Sequence, residues 1–583
     1  MKLKKLALLT TTLAAVALAL VGCGKSSQDT AAEKDDGKLM KIDVYDGLAN
    51  YQGVAKGWFA NIVKNKFNIE MNIVNSPDGG DTLFDTRTAA GNLGDIIISN
   101  SDDGRAKKLV KAGLLTDMTP YLKGMKYIKQ YSGATDALRK TIGVKSGIYG
   151  VPGSVSASAP TKSSEGTEPT FGPYIRWDYY KELGYPKIDN LEGLLPVLKD
   201  MQAKAREENP GKKIYALSLF KDWDGNMMNN AKQPTTFYGY DELGFVLAKA
   251  DGSDYQSITD SDGQYVRALR FFNKAKQAGL VDPESSTQNY DTMSSKFQNG
   301  LALFSFWPWL GQSAYNTTEH KAAGKGFMIA PVKDMKIFSY GNTTNGNRSF
   351  IGIGSKAKNK QRLVKFINWL YSPEGVSAQG AQTGGTAGVK GFTWQMKDGQ
   401  PELTKYGKKV MLDTAGAAKV PAKWGTGTYK DGVSQLNYPA VLPNDINPET
   451  KYSYSYTVWP SVIKETETKL DADWSAHMDN ATTTMDYLTK THKVLVAPGA
   501  SYVTPESTSE ISTLRGQIKT QIVNSSWKMT MAKNDAEFNS LLKQMQKTVD
   551  GLGYKKVLKI DMTNAKNQNK ARVAIKQEYS QKK

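Results

Sequence analysis

Two tryptophans stand on either side of a proline, directly after an apolar segment that is typical of a strand. Trp307 and Trp309 flank Pro308, and the segment before them covers residues 301–306. The proline fixes the backbone of the turn and suits the first turn of a following helix. Because indole rings are flat and largely apolar, a pair of them at a turn can stack against a flat ligand or pack into a core. The first chemistry that the sequence indicates is therefore non-covalent recognition.

A further tryptophan, Trp223, stands between two acids. Asp222 and Asp224 flank it, and residues 214–220 before it are typical of a strand. Carboxylate oxygens accept hydrogen bonds from hydroxyl groups, so these residues could hold a ligand that offers both a flat face and hydroxyls. The alternative is a helix start that the acids cap, with the tryptophan buried in a core. Both interpretations stay open.

The motifs of covalent and metal-dependent catalysis are missing from the sequence. It contains no Gly-x-Ser-x-Gly elbow and no Gly-x-x-x-x-Gly-Lys-Ser/Thr phosphate loop. His320, His477 and His492 do not have the spacing of metal ligands, and the single cysteine adds little to them. A glycosidase would need two carboxylates at a set separation, but 57 acidic residues make chance pairs unavoidable. The sequence therefore predicts no metal, no cofactor and no catalytic residue.

The only cysteine in the sequence, Cys23, ends an apolar segment near the start of the chain. Three lysines among the first five residues precede the apolar residues 6–21, which are long enough for the core of a signal peptide and short for a membrane span. With Gly22 before it, the cysteine resembles the lipobox of bacterial lipoproteins. That resemblance implies removal of residues 1–22 and lipidation of Cys23, whose acyl chains would gain ~0.8 kcal/mol per buried methylene on a membrane. The alternative is an ordinary signal peptide with a chance cysteine.

The chain is basic, and its positive charges are spread out. The formal net charge is +19, and removing residues 1–22 takes away three lysines and no acids, which leaves +16. Scattered lysines favour a surface that faces an anionic cell envelope over a nucleic-acid site, and an acidic polysaccharide ligand stays an alternative. No other apolar segment approaches the length of a membrane span. With one cysteine no disulfide can form within the chain, so about 550 mature residues must form two or more ordinary cores.

The first part of the chain alternates strands with helices. Strands are predicted at residues 41–45, 69–74 and 95–99, and helices at residues 57–67, 82–92 and 105–112. This alternation is typical of a parallel sheet, in which ligands bind beyond the carboxyl ends of the strands. Polar residues that follow the first and third strands are therefore candidate ligand contacts: Asn50, Asn100 and Asp102.

Several stretches of the sequence together are similar to one protein family. They are residues 171–178, Asn299-Gly300, residues 302–306, Pro308-Trp309, residues 350–354, Ser372-Pro-Glu-Gly375 and residues 513–517. In this order they resemble the extracellular solute-binding proteins of ABC importers, in the sugar-binding branch, family 1, which includes maltose-binding protein. The likeness is greatest to the long lipoprotein members from Gram-positive bacteria, and it covers nearly the whole mature chain.

The resemblance implies an α/β fold of the type II periplasmic-binding-protein class, with two lobes, a hinge and a ligand cleft between them. It implies a first lobe at residues 39–152 with about 345–385. The second lobe would cover residues 153–344 with about 386–583, and it would carry helical C-terminal additions. Residues 23–38 are polar and would form a flexible stalk after the lipidated cysteine.

The resemblance also gives the tryptophans a role. Sugar rings have an apolar face and a rim of hydroxyls, so their binding sites combine aromatic rings with polar groups. Trp309 falls where the family has a sugar-stacking tryptophan, and Trp459 falls in a late aromatic segment that closes one side of the cleft. Trp307 and Trp177 are further candidates, for which packing in a core stays an alternative.

The function that the resemblance implies is capture of a carbohydrate, in particular an oligosaccharide, and its delivery to an ABC permease without chemical change. The protein would be a monomer on the extracellular face of the cell membrane. It would be attached only through the lipid on Cys23, and it would have no nucleic-acid partner and no cofactor. Two alternatives stay open: an extracellular carbohydrate-active enzyme, such as a glycosidase or lyase, and a surface adhesin or peptide-binding lipoprotein.

Overall fold

The computed structural model describes residues 35–75, 82–101, 104–413, 416–500, 502–505 and 507–581. The predicted signal peptide, the lipidation site Cys23 and the candidate contact Asp102 lie outside these residues. Of the predicted stalk, residues 35–38 are described, and there Asp36 lies 3.5 Å from the buried guanidinium of Arg362. No helix in the described part of the chain combines the length and the apolar character that a membrane span requires.

The strands are short, and most of them lie in small sheets. In chain order they are β1 (Met40–Asp46), β2 (Gly53–Val54), β3 (Ile69–Val74), β4 (Ile96–Asn100), β5 (Val151–Pro152), β6 (Tyr174–Arg176), β7 (Tyr240–Leu243), β8 (Val246–Lys249), β9 (Tyr255–Ser257), β10 (Phe304–Ser305), β11 (Phe327–Ile329), β12 (Ile337–Tyr340), β13 (Ser349–Ile353), β14 (Trp394–Lys397), β15 (Gln400–Leu403) and β16 (Val494–Ala497).

Helices alternate with the strands at first and dominate the end of the chain. In chain order they are α1 (Trp58–Phe67), α2 (Thr82–Ala89), α3 (Arg105–Lys111), α4 (Lys126–Gln130), α5 (Ser132–Ile142), α6 (Trp177–Glu182), α7 (Leu194–Glu208), α8 (Asn229–Thr236), α9 (Gln264–Gln277), α10 (Tyr290–Gln298), α11 (Pro308–Tyr315), α12 (Thr318–Ala322), α13 (Lys360–Leu370), α14 (Pro373–Gly380), α15 (Lys405–Lys408), α16 (Pro460–Thr466), α17 (Lys469–His477), α18 (Thr484–Lys490), α19 (Ser509–Thr530), α20 (Asp535–Gly551) and α21 (Tyr554–Gln581).

One sheet of six strands, in the order β2-β3-β1-β4-β13-β5, forms the centre of the first core. Strand β1 pairs in parallel with β3 and β4, whereas β13 runs antiparallel to β4 and β5. Strand β4 forms here because Ile96, Ile97 and Ile98 are buried on both of its faces, as in a central parallel strand. The predicted strands and helices of this region are confirmed to within three residues at each end.

A second core surrounds the three-stranded antiparallel sheet β10-β6-β11. Helices α7, α9 and α19 contribute buried side chains to this core, among them Leu198, Phe272 and Trp527. The long α21 is fixed by Arg515 of α19, whose two terminal nitrogens donate to the buried Asp561 at 2.6 and 2.8 Å. The C-terminal helices therefore belong to the second core.

Within the described residues, the chain passes three times between the two cores. The passages are residues 155–171, 338–351 and 454–470. The first and second passages are joined directly, because the Ser156 backbone N–H donates to the Thr343 carbonyl at 3.1 Å. Connections that run side by side between two bodies can act as a hinge.

One part of the chain packs differently from the predicted division into lobes. The prediction assigns residues 386–583 to the second lobe, but Phe392 and Tyr429 lie in the first core. The Trp58 indole stacks on Tyr429 with 5.4 Å between ring centroids, and its N–H donates to the Tyr429 carbonyl at 2.9 Å. We therefore propose that the first lobe extends to residues 389–454.

Candidate functional site

Three aromatic side chains lie together at the surface of the second core: Trp223, Tyr290 and Trp309. The Trp223 ring stacks on Tyr290 with centroids 4.7 Å apart, and its centroid lies 5.6 Å from that of Trp309. Trp223 is 45% exposed and Trp309 is 38% exposed, so both offer ring surface to solvent. A contiguous exposed apolar patch commonly marks a binding surface. We call these three residues the aromatic cluster.

Helix α11 positions Trp309. Trp307 is the extended residue before the helix, Pro308 opens the helix as the sequence predicts, and Trp309 follows. Trp307 is only 4% exposed, and its ring stacks on that of Trp309 with 4.9 Å between centroids. Although Trp307 was a candidate contact, the structure gives it a supporting position beneath the aromatic cluster rather than a free face for a ligand.

The two acids beside the exposed Trp223 ring have different surroundings. Asp224 is engaged within the protein, since its carboxylate accepts from the Asn229 backbone N–H at 2.8 Å and from the Trp527 indole at 2.7 Å. Burial raises the pKa of Asp224. Asp222 is exposed, and one of its oxygens accepts from a backbone N–H of α10 at 2.8 Å. Asp222 can therefore accept a ligand hydroxyl at the edge of the aromatic cluster, whereas Asp224 fixes the loop.

Two other candidate tryptophans are buried. Trp177 is 1% exposed, and its indole donates to Asp473 at 2.8 Å. Trp459 is 3% exposed, donates to the Ser453 carbonyl at 2.7 Å and packs edge-on against Trp394. Because their rings and N–H groups are already used within the protein, the structure places both in cores. This position disagrees with their prediction as ligand contacts.

Within the described part of the chain, the polar candidates of the first lobe make no hydrogen bond to the aromatic cluster. Asn50 is exposed and lines a cavity of about 600 Å³ together with Lys430 and Gln435. Asn100 is half-buried at the end of β4, where it pairs in register with Ser349 of β13. Asn50 therefore stands at a concave surface, whereas Asn100 is part of the sheet.

The sequence does not predict a cavity of about 720 Å³ that the structure shows. It lies between residues 456–467 and the second core, and Glu168 lines it. The Glu168 carboxylate accepts from the Tyr174 hydroxyl at 2.8 Å and from the Gln312 amide at 3.4 Å. Burial raises the pKa of Glu168 to about 7. Residues 154–170 are rich in Ser, Thr, Gly and Pro, a pattern that indicates a loop but carries no signal for a carboxyl in a cavity wall.

Helix α11 brings the aromatic cluster close to this cavity. Trp309 and Gln312 are three residues apart, so their Cβ atoms lie on one face of the helix at ~5–6 Å from each other. Gln312 in turn contacts Glu168 in the cavity wall. Helix α11 therefore links the flat rings to the wall of the polar cavity.

Hydrogen bonding and ring surface are the means of recognition that this region offers. No group of three His, Cys, Asp or Glu side chains within the described ranges could hold a metal ion. Among the residues that the structure describes, two carboxyls have a pKa raised to about 7, Glu168 and Asp46. They belong to different parts of the fold, since Glu168 bonds to β6 of the second core and Asp46 ends β1 of the first.

The second of these carboxyls, Asp46, is the last residue of the first strand. Asp46 is fully buried, one oxygen accepts from the Leu48 backbone N–H at 3.0 Å, and the other has no partner among the described residues. Burial raises the pKa of Asp46 to about 7, whereas an unfolded chain has an Asp pKa of ~3.9. Between these values the native protein holds a proton that the unfolded chain has released.

We expect Asp46 to lower the free energy of unfolding as pH rises from about 4 to about 7, because the unfolded state binds fewer protons than the native state in that range. Asp46→Asn is uncharged at every pH, so its free energy of unfolding should decline less than that of the wild type. Urea denaturation at several pH values measures both slopes. Equal slopes for the variant and the wild type would show that Asp46 is ionised in the native state.

Comparisons with known proteins agree on one family. A sequence model for the bacterial extracellular solute-binding protein family matches residues 58–398, which is more than half of the chain. Lipoprotein LipO of Bacillus subtilis is 22% identical over 348 residues, which cover 58% of this chain. The match spans 64% of the length of LipO.

Solved structures resemble the chain over nearly its whole length. A solute-binding protein of Bifidobacterium longum infantis, described as HMO-binding and ABC-transporter-associated, has a TM-score of 0.56 at 16% identity and covers 91% of this chain and 99% of its own. The substrate-binding protein FusA of S. pneumoniae, solved with kestose, has a TM-score of 0.54 at 13% identity over 91% and 99% of the two chains. These likenesses confirm the predicted type II periplasmic-binding-protein fold. By the family model and the fold together, the chain belongs to the bacterial extracellular solute-binding proteins.

Proposed function

We propose that the protein is a non-catalytic receptor for a carbohydrate, in particular an oligosaccharide. The observation that carries this proposal is the aromatic cluster, with two indoles exposed at 45% and 38% and the carboxylate of Asp222 at its edge. An apolar ring face beside hydrogen-bond acceptors matches a sugar, which has an apolar face and a rim of hydroxyls. A small ion would leave the stacked rings without a flat partner.

The relatives support the same class of ligand. The Bifidobacterium protein is described as HMO-binding, and FusA was solved in complex with kestose. At 13–16% identity these proteins share the fold, and the identity of this chain's own ligand rests on its site.

Binding would use both lobes. The three passages between the cores, residues 155–171, 338–351 and 454–470, would act as the hinge. A ligand held by the second lobe would favour closure through contacts that form only when the first lobe reaches it. The closed form would then deliver the sugar to an ABC permease.

The position on the cell follows from Cys23. We propose that residues 1–22 are removed, that Cys23 is lipidated and that the protein stands as a monomer on the extracellular face of the cell membrane. The lipid on Cys23 would be the only anchor. No nucleic acid and no cofactor take part in this function.

A thermal-shift screen tests the proposed function. The chain without residues 1–22 is heated with a panel of neutral and uronate oligosaccharides, from monosaccharide to hexasaccharide, and with a matched panel of short peptides. A glycan present at about 100 times its Kd should add ~2.7 kcal/mol to the free energy of unfolding and raise Tm, whereas the peptides should leave Tm unchanged.

Two results would overturn the proposed function. Stabilisation by the peptides alone would identify a peptide receptor. Shortened glycan chains after incubation, detected by mass spectrometry, would identify an enzyme instead of a receptor.

A further inference from the structure

Three cavities of the protein are connected through shared wall residues. The cavity of about 600 Å³ at Asn50 and a cavity of about 320 Å³ share Gln382, Lys430 and Val433. The cavity of about 320 Å³ and the cavity of about 720 Å³ at Glu168 in turn share Tyr456. The three cavities therefore adjoin one another, in a row from the first-lobe strand ends to the second core. We call this row of cavities the groove.

Tyr456 lies in the middle of the groove, where the wall of the cavity of about 320 Å³ meets the wall of the cavity of about 720 Å³. It begins the 3-10 turn Tyr456–Val458, directly before the turn that leads into α16, and is half-buried. Its backbone carbonyl accepts from the Trp459 N–H at 3.1 Å, which holds the turn in place. The Tyr456 hydroxyl has no hydrogen-bond partner among the described residues, and it is not sealed from solvent. A held backbone with a free, accessible hydroxyl is suited to contact a ligand.

A second tyrosine, Tyr429, lies beside Tyr456 in the wall of the same middle cavity. It is 5% exposed, and its hydroxyl is buried without a hydrogen-bond partner in the described residues. Leaving a buried hydroxyl unpaired costs roughly 1–3 kcal/mol, so native proteins seldom keep one without a reason. The middle of the groove therefore holds two phenol groups whose hydrogen-bonding capacity the protein does not use.

We propose that Tyr456 is a ligand-binding residue at the middle of the groove, and that the ligand is a linear chain of three or more sugar units. This inference rests on the proposed function. The end cavities of about 600 and 720 Å³ each have room for a small ligand of their own. A monosaccharide or disaccharide can fill one end cavity, but only a longer chain can reach both ends and pass Tyr456 between them.

The charges along the groove agree with a ligand that carries many hydroxyls. The cavity of about 600 Å³ in the first lobe is lined by Lys430 and Asp431 together with amide side chains. The cavity of about 720 Å³ is lined by Glu168 and by the ion pair of Lys321 and Asp471, whose charged atoms lie 2.9 Å apart. Both end cavities thus contain positive and negative side chains, and neither sign of charge dominates. This pattern favours a neutral sugar chain over a polyanion.

Removing only the Tyr456 hydroxyl tests the inference. Tyr456→Phe keeps the ring and its packing, so the fold should survive. Isothermal calorimetry with a linear glycan series, from monosaccharide to hexasaccharide, should show affinity weakened by about three- to ten-fold for chains of three or more units, the loss of one neutral hydrogen bond. Affinity for shorter sugars should stay the same.

A matched variant separates ligand binding by the Tyr456 hydroxyl from a general effect of removing a tyrosine hydroxyl. Tyr452→Phe changes a tyrosine of the same segment that packs beside Trp459 but lines none of the three cavities, so it should leave all affinities unchanged. If glycans bind and Tyr456→Phe retains wild-type affinity at every length, or loses the same factor at every length, the inference is wrong while the proposed function stands. If no glycan binds the wild type, both are wrong.

Discussion

Replacing Trp309 with alanine is expected to weaken glycan binding by about five- to ten-fold without unfolding the protein. One face of a sugar ring covers ~50 Å² of apolar surface, which at ~25 cal/mol per Å² is worth about 1 kcal/mol, and ten-fold in affinity is ~1.4 kcal/mol. The fold should survive because Trp309 is 38% exposed and its indole N–H makes no hydrogen bond within the described residues. Calorimetry with the glycan found in the screen measures the change.

Two further variants separate loss of stacking from a surface effect. Trp309→Phe keeps a flat ring and should lose less affinity than Trp309→Ala. Ile446→Ala removes an apolar side chain that is 51% exposed and lies outside the aromatic cluster, so its affinity should equal that of the wild type. Unchanged affinity in Trp309→Ala would remove Trp309 from the binding site.

The strands and helices of the first lobe could be predicted because their patterns are local. Residues 95–99 contain a continuous apolar run, which a central parallel strand requires, and β4 forms there. The lobe boundary could not be predicted in the same way. Tyr429 joins the first core through Trp58, 371 residues earlier in the chain, and no local pattern near Tyr429 indicates that partner.

The tryptophans show where sequence reasoning about the site reaches its limit. Trp307 and Trp459 each stand directly before a proline that opens a helix, and both are buried, at 4% and 3% exposure. Trp309 follows such a proline, which turns it out of the preceding strand and onto the helix surface. Their position relative to the proline is visible in the sequence. Whether each ring is buried depends on segments that are distant in the sequence, as where Trp394 packs against Trp459.

The groove is even harder to predict from the sequence than the burial of the tryptophans. Its walls come from residues near 50, 168, 382, 430 and 456, which only the fold brings together. Tyr456 belongs to the same aromatic segment as Trp459, but no local pattern distinguishes it from the neighbouring tyrosines, and Glu168 stands in a loop rich in Ser, Thr, Gly and Pro. Their functional interest comes from an unused hydroxyl in one case and from a raised pKa in the other, and both are properties of the folded chain.

The buried ion pair of Arg176 and Asp178 supports the sheet that leads to the aromatic cluster. Arg176 ends β6 at 3% exposure, and its guanidinium donates to the two carboxylate oxygens of Asp178 at 2.9 and 2.5 Å. The same guanidinium lies 4.0 Å from the centre of the Tyr315 ring at the end of α11. The pair thus connects the central strand of the second core to the helix that carries Trp309.

Arg176→Met is expected to lower the free energy of unfolding by about 3–5 kcal/mol, because it leaves the Asp178 carboxylate buried without its partner. Arg176→Lys keeps the charge but loses the two-point geometry, so its loss should be smaller. The double variant Arg176→Met with Asp178→Leu removes both charges and should recover much of the stability that Arg176→Met loses. Urea denaturation gives the three values, and hydrogen exchange at residues 174–176 locates the change in the second core. A double variant as unstable as Arg176→Met would mean that lost packing of the arginine, rather than the unpaired carboxylate, accounts for the effect.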